Sequence, residues 1–294
     1  MIFQDSKKNF LGIKELKGSN YKVLIIPYPL ENSVSYGKGT KNGPKEIIKA
    51  SHQLELYDEN LSFEPVKKIG IKTLKLKDRL DGSVIALNKL EKIVDSVLEI
   101  KKFPLILGGE HTVTIGSIRS FTKRIKDLII LQFDAHTDLR DTYERSKYSH
   151  ACTMRRCLES PNVKLISLGA RSTSKEEIEF MKKNKSRINT FYAKDKETWD
   201  LKKIQKLIKN KNVYISFDVD VFDSSLMPAT GTPEPGGLFW NEVINLIKMT
   251  SENSNVVGAD ITELAPIKNM DSYNFTVAKL TYRLISIIFN SKKV

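Results

Sequence analysis

The sequence predicts an α/β fold, a mainly parallel sheet of about eight strands with helices on both faces. Short β-rich runs alternate with longer helix-periodic runs from one end of the chain to the other. Several of the short runs are continuously apolar, the mark of strands buried on both faces. No long Pro/Gly/Ser linker, internal repeat or low-complexity stretch interrupts the alternation, so residues 1–294 read as a single domain.

The first strand is placed at Lys22 to Pro29, around the apolar run Val23 to Ile26, and Gly43-Pro44 opens a helical pattern that runs to Tyr57. A strand at Lys67 to Leu74 precedes a helix from Asp81 to Lys102. Strand Phe103 to Gly109 leads to a helix at Thr112 to Lys126, and strand Leu128 to His136, with the run Leu128 to Leu131, leads to one at Ser149 to Glu159. The last four strands are Val163 to Arg171, Arg187 to Ala193, Asn212 to Val221 and Asn255 to Leu264. Each is followed by a helical pattern, at Lys175 to Lys185, Leu201 to Lys211, Trp240 to Glu252 and Asp271 to Asn290. Crossovers of this kind are short and right-handed, and such open sheets bind ligands beyond the carboxyl ends of their strands.

Composition removes several function classes. Hydrophobic residues are 40% and charged residues 28% of the chain, which excludes wholesale disorder. The longest apolar runs, such as Leu284 to Phe289, fall far short of the roughly 18 to 20 residues that cross a bilayer, so no membrane partner is expected. Met1 to Leu16 mixes Asp5, Lys7, Lys8 and Glu15 among its apolar positions and does not read as a secretory signal, so a cytoplasmic protein is expected. Cys152 and Cys157 are the only cysteines and are poorly placed for a disulfide framework or a thiolate zinc site. The net charge is +13, but pairs such as Lys67-Lys68, Lys182-Lys183 and Lys202-Lys203 are scattered and lack an aromatic platform. No nucleic-acid partner is expected, and the basic total is assigned to the surface.

The chemistry gathers at strand ends, in Gly108-Gly109-Glu110-His111, Asp134-Ala135-His136-Thr137-Asp138, Asp218-Val219-Asp220 and Asp260-Ile261-Thr262-Glu263. In an extended chain residues i, i+2 and i+4 share a face, so Asp134, His136 and Asp138 are expected to converge. Carboxylates crowded at one end of a sheet raise each other's pKa unless a cation intervenes. Two imidazoles and four aspartates suffice for two ions if some carboxylates bridge, and the mixture suits manganese better than zinc. Ions roughly 3.5 to 4 Å apart can share and activate one water. With Glu263 added, the carboxylates outweigh two divalent ions and leave a site that attracts a cation. A lone Asp-x-Asp is ordinarily a turn and a lone histidine ordinarily structural, as His52 is read here; the joint occurrence in one sheet is what points to metal.

Together these motifs resemble the ureohydrolases, the arginase and agmatinase family. The resemblance covers almost the whole chain, from Ser35-Tyr36-Gly37-Lys38-Gly39-Thr40-Lys41-Asn42-Gly43-Pro44 to Asp260-Ile261-Thr262-Glu263-Leu264-Ala265-Pro266. It is most specific in Phe133 to Asp138 and in Ser216-Phe217-Asp218-Val219-Asp220 followed by Pro228 to Leu238. It implies a three-layer α/β/α fold and a binuclear manganese centre, with nickel or cobalt as alternatives, that hydrolyses a guanidinium group to urea and an amine. On that resemblance His111 binds one ion and His136 the other, while Asp134, Asp138, Asp218 and Asp220 complete and bridge the pair. Asp138 also orients the activated water, Glu263 receives the guanidinium, and His150 relays protons at the substrate. Asp260 holds its neighbours in place. The resemblance further implies a homo-oligomer, a trimer or hexamer.

The expected substrate is a small cationic guanidino compound. The pattern departs from arginase at Arg140, which favours agmatine, hydrolysed to putrescine in polyamine biosynthesis, or a longer aminopropyl derivative; guanidinobutyrate comes next and arginine after it. Asp141, Glu144 and Glu234 are candidates to receive an amine tail. If Arg140 faces the pocket it repels an amine and favours a carboxylate, whereas pairing with Asp141 or Glu144 removes the objection. Lys38-Gly39-Thr40 superficially matches a phosphate loop but lacks its Lys-Ser/Thr step; the loop reads equally as lining the substrate mouth or as structural. The competing class is a non-catalytic regulator or scaffold of the same fold, and the complete set of ligand positions argues against it.

Overall fold

A computed structural model describes residues 1–5, 7–13, 21–76, 80 and 82–291, the side chain of residue 291 excepted. Eight strands, β1 (Val23–Tyr28), β2 (Ile71–Thr73), β3 (Phe103–Gly108), β4 (Leu128–Phe133), β5 (Val163–Ala170), β6 (Ile188–Tyr192), β7 (Asn212–Asp218) and β8 (Asn255–Thr262), form one sheet. Their order is β2-β1-β3-β8-β7-β4-β5-β6, and every neighbouring pair is parallel.

Alternation along each strand sends side chains to two separate apolar layers. Val23 and Ile25 of β1, Leu105 and Leu107 of β3, and Ile129 and Leu131 of β4 enter one; Leu24, Ile26, Ile106 and Ile130 enter the other. The first layer is covered by α1 (Gly43–Ser51), α2 (Pro65–Ile69), α7 (Leu201–Ile208), α8 (Trp240–Asn253) and α9 (Asp271–Ser291). The second is covered by α3 (Ser83–Glu99), α4 (Val113–Thr122), α5 (Thr153–Cys157) and α6 (Lys175–Lys183). This is the expected three-layer α/β/α arrangement. Asp81, expected to begin the helix observed as α3, lies outside the described residues.

Three expected elements differ most, and the strands expected to reach His136 and Val221 end at Phe133 and Asp218. The strand placed at Lys67 to Leu74 retains only β2, because Pro65 at the first helical position starts a turn that buries Val66 and Ile69 at i, i+3 and ends at Gly70, where φ is +65°. The helix from Gly43 stops at Ser51 rather than Tyr57, and the one placed at Ser149 to Glu159 divides into a 3₁₀ turn, His150–Cys152, and α5. Both cysteines are buried and free. Among the described residues no helix is long and apolar enough to cross a membrane.

The consequence for function lies in the strand order. Strands β3, β8, β7 and β4 are contiguous at the sheet centre, so the side chains that follow their carboxyl ends meet, although they come from positions 111 to 263 of the chain.

Candidate metal centre

His111 sits just beyond β3. A Cβ on Gly109 would lie 2.1 Å from the carbonyl oxygen of Leu30, so only glycine lets the strand tip pass this close to the neighbouring loop. The ring is held on one side: Nε2 meets Ser216 Oγ at 2.8 Å, and Ser216 donates to Asp260 Oδ1 at 3.0 Å. Asp260 Oδ2 accepts from Thr114 and Tyr214, both at 2.8 Å. With its own proton given to Asp260, Ser216 accepts from Nε2–H, which leaves Nδ1 to face the acids. That atom lies 3.0 Å from Asp138, 3.1 Å from Asp134 and 3.5 Å from Asp218, yet it is buried and has no hydrogen-bond partner among the described residues.

Asp134 is the shared member of two clusters, His111–Asp134–Asp218 and Asp134–His136–Asp220, in each of which the ligand-type atoms lie within 4.8 Å of one another. Its Oδ1 accepts the His136 amide at 2.6 Å and its Oδ2 accepts Gln132 Nε2 at 2.7 Å. Asp220 accepts the Ala135 amide at 2.9 Å and meets His136 Nδ1 at 2.8 Å, while Asp218 accepts the Asp220 amide at 2.9 Å. Asp138 and Glu263 reach the cluster from left-handed backbone, with φ of +52° and +65°, a conformation uncommon outside glycine. Glu263 Oε1 accepts the backbone N–H of His111 at 2.6 Å.

The acids respond to their crowding. Burial, with Asp134 beside it, pushes Asp138 up to about 6. Burial and the charges of Asp220 and Asp134 hold Asp218 well above the carboxylate range, and burial does the same to Glu263. Burial opposes charge on the imidazoles, but Asp134 and Asp138 still lift His111 well above its usual range. Against the same penalty, Asp220 and Asp134 carry His136 up to about 12. Asp134 moves the other way: burial opposes its charge, but His111 and His136 hold it below the usual carboxylate range. A cluster in which Asp138, Asp218 and Glu263 gain protons while both imidazoles keep theirs is short of positive charge. Two divalent cations meet that need, and the orphaned Nδ1 of His111 is where one would bind. The donor set, imidazole nitrogen with several carboxylates, fits manganese, nickel or cobalt.

Above the cluster a cavity of about 290 Å³ is lined by His136, Asp138, Arg140, Tyr143, His150 and Glu234, among others. A smaller space of about 20 Å³ shares Ser35, Asp138, His150 and Thr232 with it and is lined also by His111, Asp218, Asp220 and Glu263. His150 is placed at both, by Nδ1 contacting Ser33 O at 2.7 Å and by its backbone N–H donating to Ser33 Oγ at 2.9 Å.

An arginase-family model matches residues 21–286. The chain belongs to the arginase family. It is 34% identical to the N(1)-aminopropylagmatine ureohydrolase of Synechocystis over 96% of this chain and 94% of that protein. It is also 34% identical to the agmatinase of Bacillus cereus over 84% of each. Among solved structures, the agmatine ureohydrolase of Thermoplasma volcanium superposes with a TM-score of 0.83 at 30% identity, over 94% of this chain and 93% of that one. As an arginase-family member the protein is a hydrolase of guanidino C–N bonds.

Within this arginase-family site the structure brings together His111, Asp134, His136, Asp138, Asp218, Asp220 and Glu263, with His150 at the rim and Asp260 behind Ser216. Two of the acids expected near a substrate tail do not line the cavity. Asp141 is drawn away by Arg156, 2.6 Å from it, and Glu144 is exposed; Glu234 alone of the three lines the cavity, 3.8 Å from His136 Nε2. Arg140 does face the cavity and stacks over Tyr143, 5.2 Å from the ring centre, with no carboxylate partner among the described residues. Ser35 lines the mouth, whereas Gly39 and Lys41 are held by Glu31 through their amides at 2.6 and 3.2 Å. His52 is structural, its Nε2 meeting Asn9 O at 3.0 Å.

Sequence reasoning did not single out Glu110, Glu177 or Arg171. Arg171 donates to the carbonyls of Gly169, Asp220, Val221, Phe222, Glu234 and Pro235, and so ties the Asp220 turn to the wall that carries Glu234. Glu177 accepts from Thr137 Oγ1 at 2.7 Å and Leu139 N at 2.9 Å, flanking Asp138 on both sides. The Ser174-x-x-Glu177 capping box was the one local signal for it, and it speaks for a helix start rather than for a site.

Proposed function

We propose that this arginase-family hydrolase releases urea from a guanidino compound with an amine-bearing tail, agmatine or its N-aminopropyl derivative, with two divalent ions, manganese first, at the acidic cluster. The observation that carries the reading is Asp134 standing between two His/Asp clusters at the base of a cavity. The relatives named agmatinase and N(1)-aminopropylagmatine ureohydrolase support the amine tail.

His111 and His136 would each hold one ion, with Asp134, Asp138, Asp218 and Asp220 completing and bridging the pair. Such a pair supplies activation of water near neutral pH and neutralises the carboxylates. Glu263, fixed through Oε1 to the His111 amide, keeps Oε2 for the guanidinium, a charge-assisted pairing that returns this buried acid to its ionised form. Asp138 accepts a hydrogen bond from the attacking water and so aims it at the guanidinium carbon. The His150 imidazole, within the same cavity, hands a proton to the departing amine.

One observation favours a second reading, a guanidino acid: Arg140 faces the cavity and pairs with no described carboxylate. A urea-release panel separates the two. Metal-stripped protein supplied with manganese, nickel or cobalt is given agmatine, N-aminopropylagmatine, guanidinobutyrate and arginine. The first two are expected to have the highest kcat/KM; preference for guanidinobutyrate would establish the second reading, and no urea from any of them would overturn both.

A further inference from the structure

We infer that Glu110 is a positioning residue that sets which nitrogen of His150 faces the cavity. The inference rests on the proposed function for the role of His150, and on hydrogen bonds alone for the rest.

Glu110 is fully buried and lines neither cavity at the acidic cluster, although it immediately precedes His111. A buried carboxylate is tolerated only when its oxygens are well hydrogen-bonded. Oε1 accepts the Thr112 hydroxyl at 2.5 Å, and Oε2 accepts the backbone N–H groups of Asn32 and Ser33, both at 2.6 Å. Two adjacent amides converging on one oxygen fix the 31–32 and 32–33 peptide planes, and so place the Ser33 Cα from which its hydroxyl and carbonyl extend. Ser33 is the residue that holds His150, through its hydroxyl to the His150 amide and through its carbonyl oxygen to Nδ1.

A carbonyl oxygen only accepts, so Nδ1 carries the hydrogen and neutral His150 presents an unprotonated Nε2. Nε2 lies 3.4 Å from Ser35 Oγ, which lines the cavity. It is therefore the atom that gains and releases the proton on the substrate side. The tip of β3 thus serves both halves of the site: His111 faces the acids, and Glu110 faces the other way and aims the proton-handling ring.

The test is the tautomer itself. The chain has four histidines, so ¹⁵N-histidine labelling and a His150→Asn difference spectrum assign His150 in magic-angle-spinning spectra of the full-length, zinc-exchanged protein in alkaline buffer. The wild type is expected to show His150 protonated at Nδ1. Glu110→Ala is expected to populate the other tautomer and lower kcat about ten-fold with little change in KM. Glu110→Gln, whose amide oxygen can accept both N–H groups, is expected to restore both. Should Glu110→Ala fail to fold, Glu110→Asp, which retracts the oxygens, is read in the same way. Protonation at Nε2 in the wild type overturns the inference without any variant, as does an unchanged tautomer once the grip of Glu110 is removed. Absence of urea release alongside the expected tautomers would overturn the functional reading and leave the Glu110–His150 linkage standing.

Discussion

His111 turns Nδ1 toward Asp134 Oδ2, 3.1 Å away, and among the described residues that nitrogen has no hydrogen-bond partner. The orientation is imposed from behind, by Ser216 at Nε2 and by Asp260 at Ser216. Partners of this kind typically alter metal affinity by about 10- to 100-fold when removed. Ser216→Ala should therefore weaken ion binding at the His111 side by a factor in that range while the protein remains folded, as read by chelator competition and circular dichroism. Unchanged affinity would show that the ring needs no support.

Asp223 closes the loop that carries Glu234. Its Oδ1 accepts from Ser225 and its Oδ2 accepts the amides of Gly236 and Gly237 at 2.6 and 3.0 Å. The Ser225 hydroxyl and amide, then the two glycine amides, hold its pKa at about 2. A carboxylate depressed by folding adds stability that is fully present above its unfolded pKa of about 4 and is lost as pH falls toward the folded value. Asp223→Asn should lower the urea-denaturation midpoint at pH 7, and the gap from wild type should narrow by pH 3. A gap that does not depend on pH would assign the effect to packing instead.

Arg140 places a positive charge beside the cavity, over Tyr143. If the tail is an amine, Arg140→Gln removes repulsion and should lower KM for agmatine several-fold without lowering kcat. It should also raise KM for guanidinobutyrate. The opposite pattern in steady-state kinetics would move the proposal to a guanidino acid.

Much of this was legible in the sequence, for identifiable reasons. Buried parallel strands announce themselves as apolar runs, and each of the eight expected strands is present, β2 in shortened form. Lys67 to Ile69 read as strand because a short run beside Ile71 and Leu74 carries too few apolar positions to show a period, whereas Val66 and Ile69, three apart, share one buried face of a helical turn. The ligand-type residues stood out by chemistry, but the geometric reason expected for Asp134, His136 and Asp138 is not the one that operates. Strand β4 ends at Phe133, and Asp138 returns to the cluster through its left-handed backbone rather than by extended alternation. Asp220 likewise lies in a 3₁₀ turn beyond β7. What stayed hidden are contacts between distant segments, such as Glu110 with Ser33 and Arg171 with Glu234, for which no spacing rule exists. The fates of Asp141 and Arg140 were hidden for the same reason: Arg156 takes Asp141, and Arg140 is left facing the cavity.

The central claim is that two ions, one on each histidine, carry the hydrolysis. It is tested most directly by urea release from agmatine, with metal content measured on the same samples, for wild type and His136→Ala after stripping and reconstitution with manganese. The wild type is expected to hold two ions per chain and to release urea. A folded His136→Ala is expected to hold about one ion per chain and to lose at least about 100-fold in kcat/KM. Wild-type activity in His136→Ala, or full activity in the stripped protein, would contradict it.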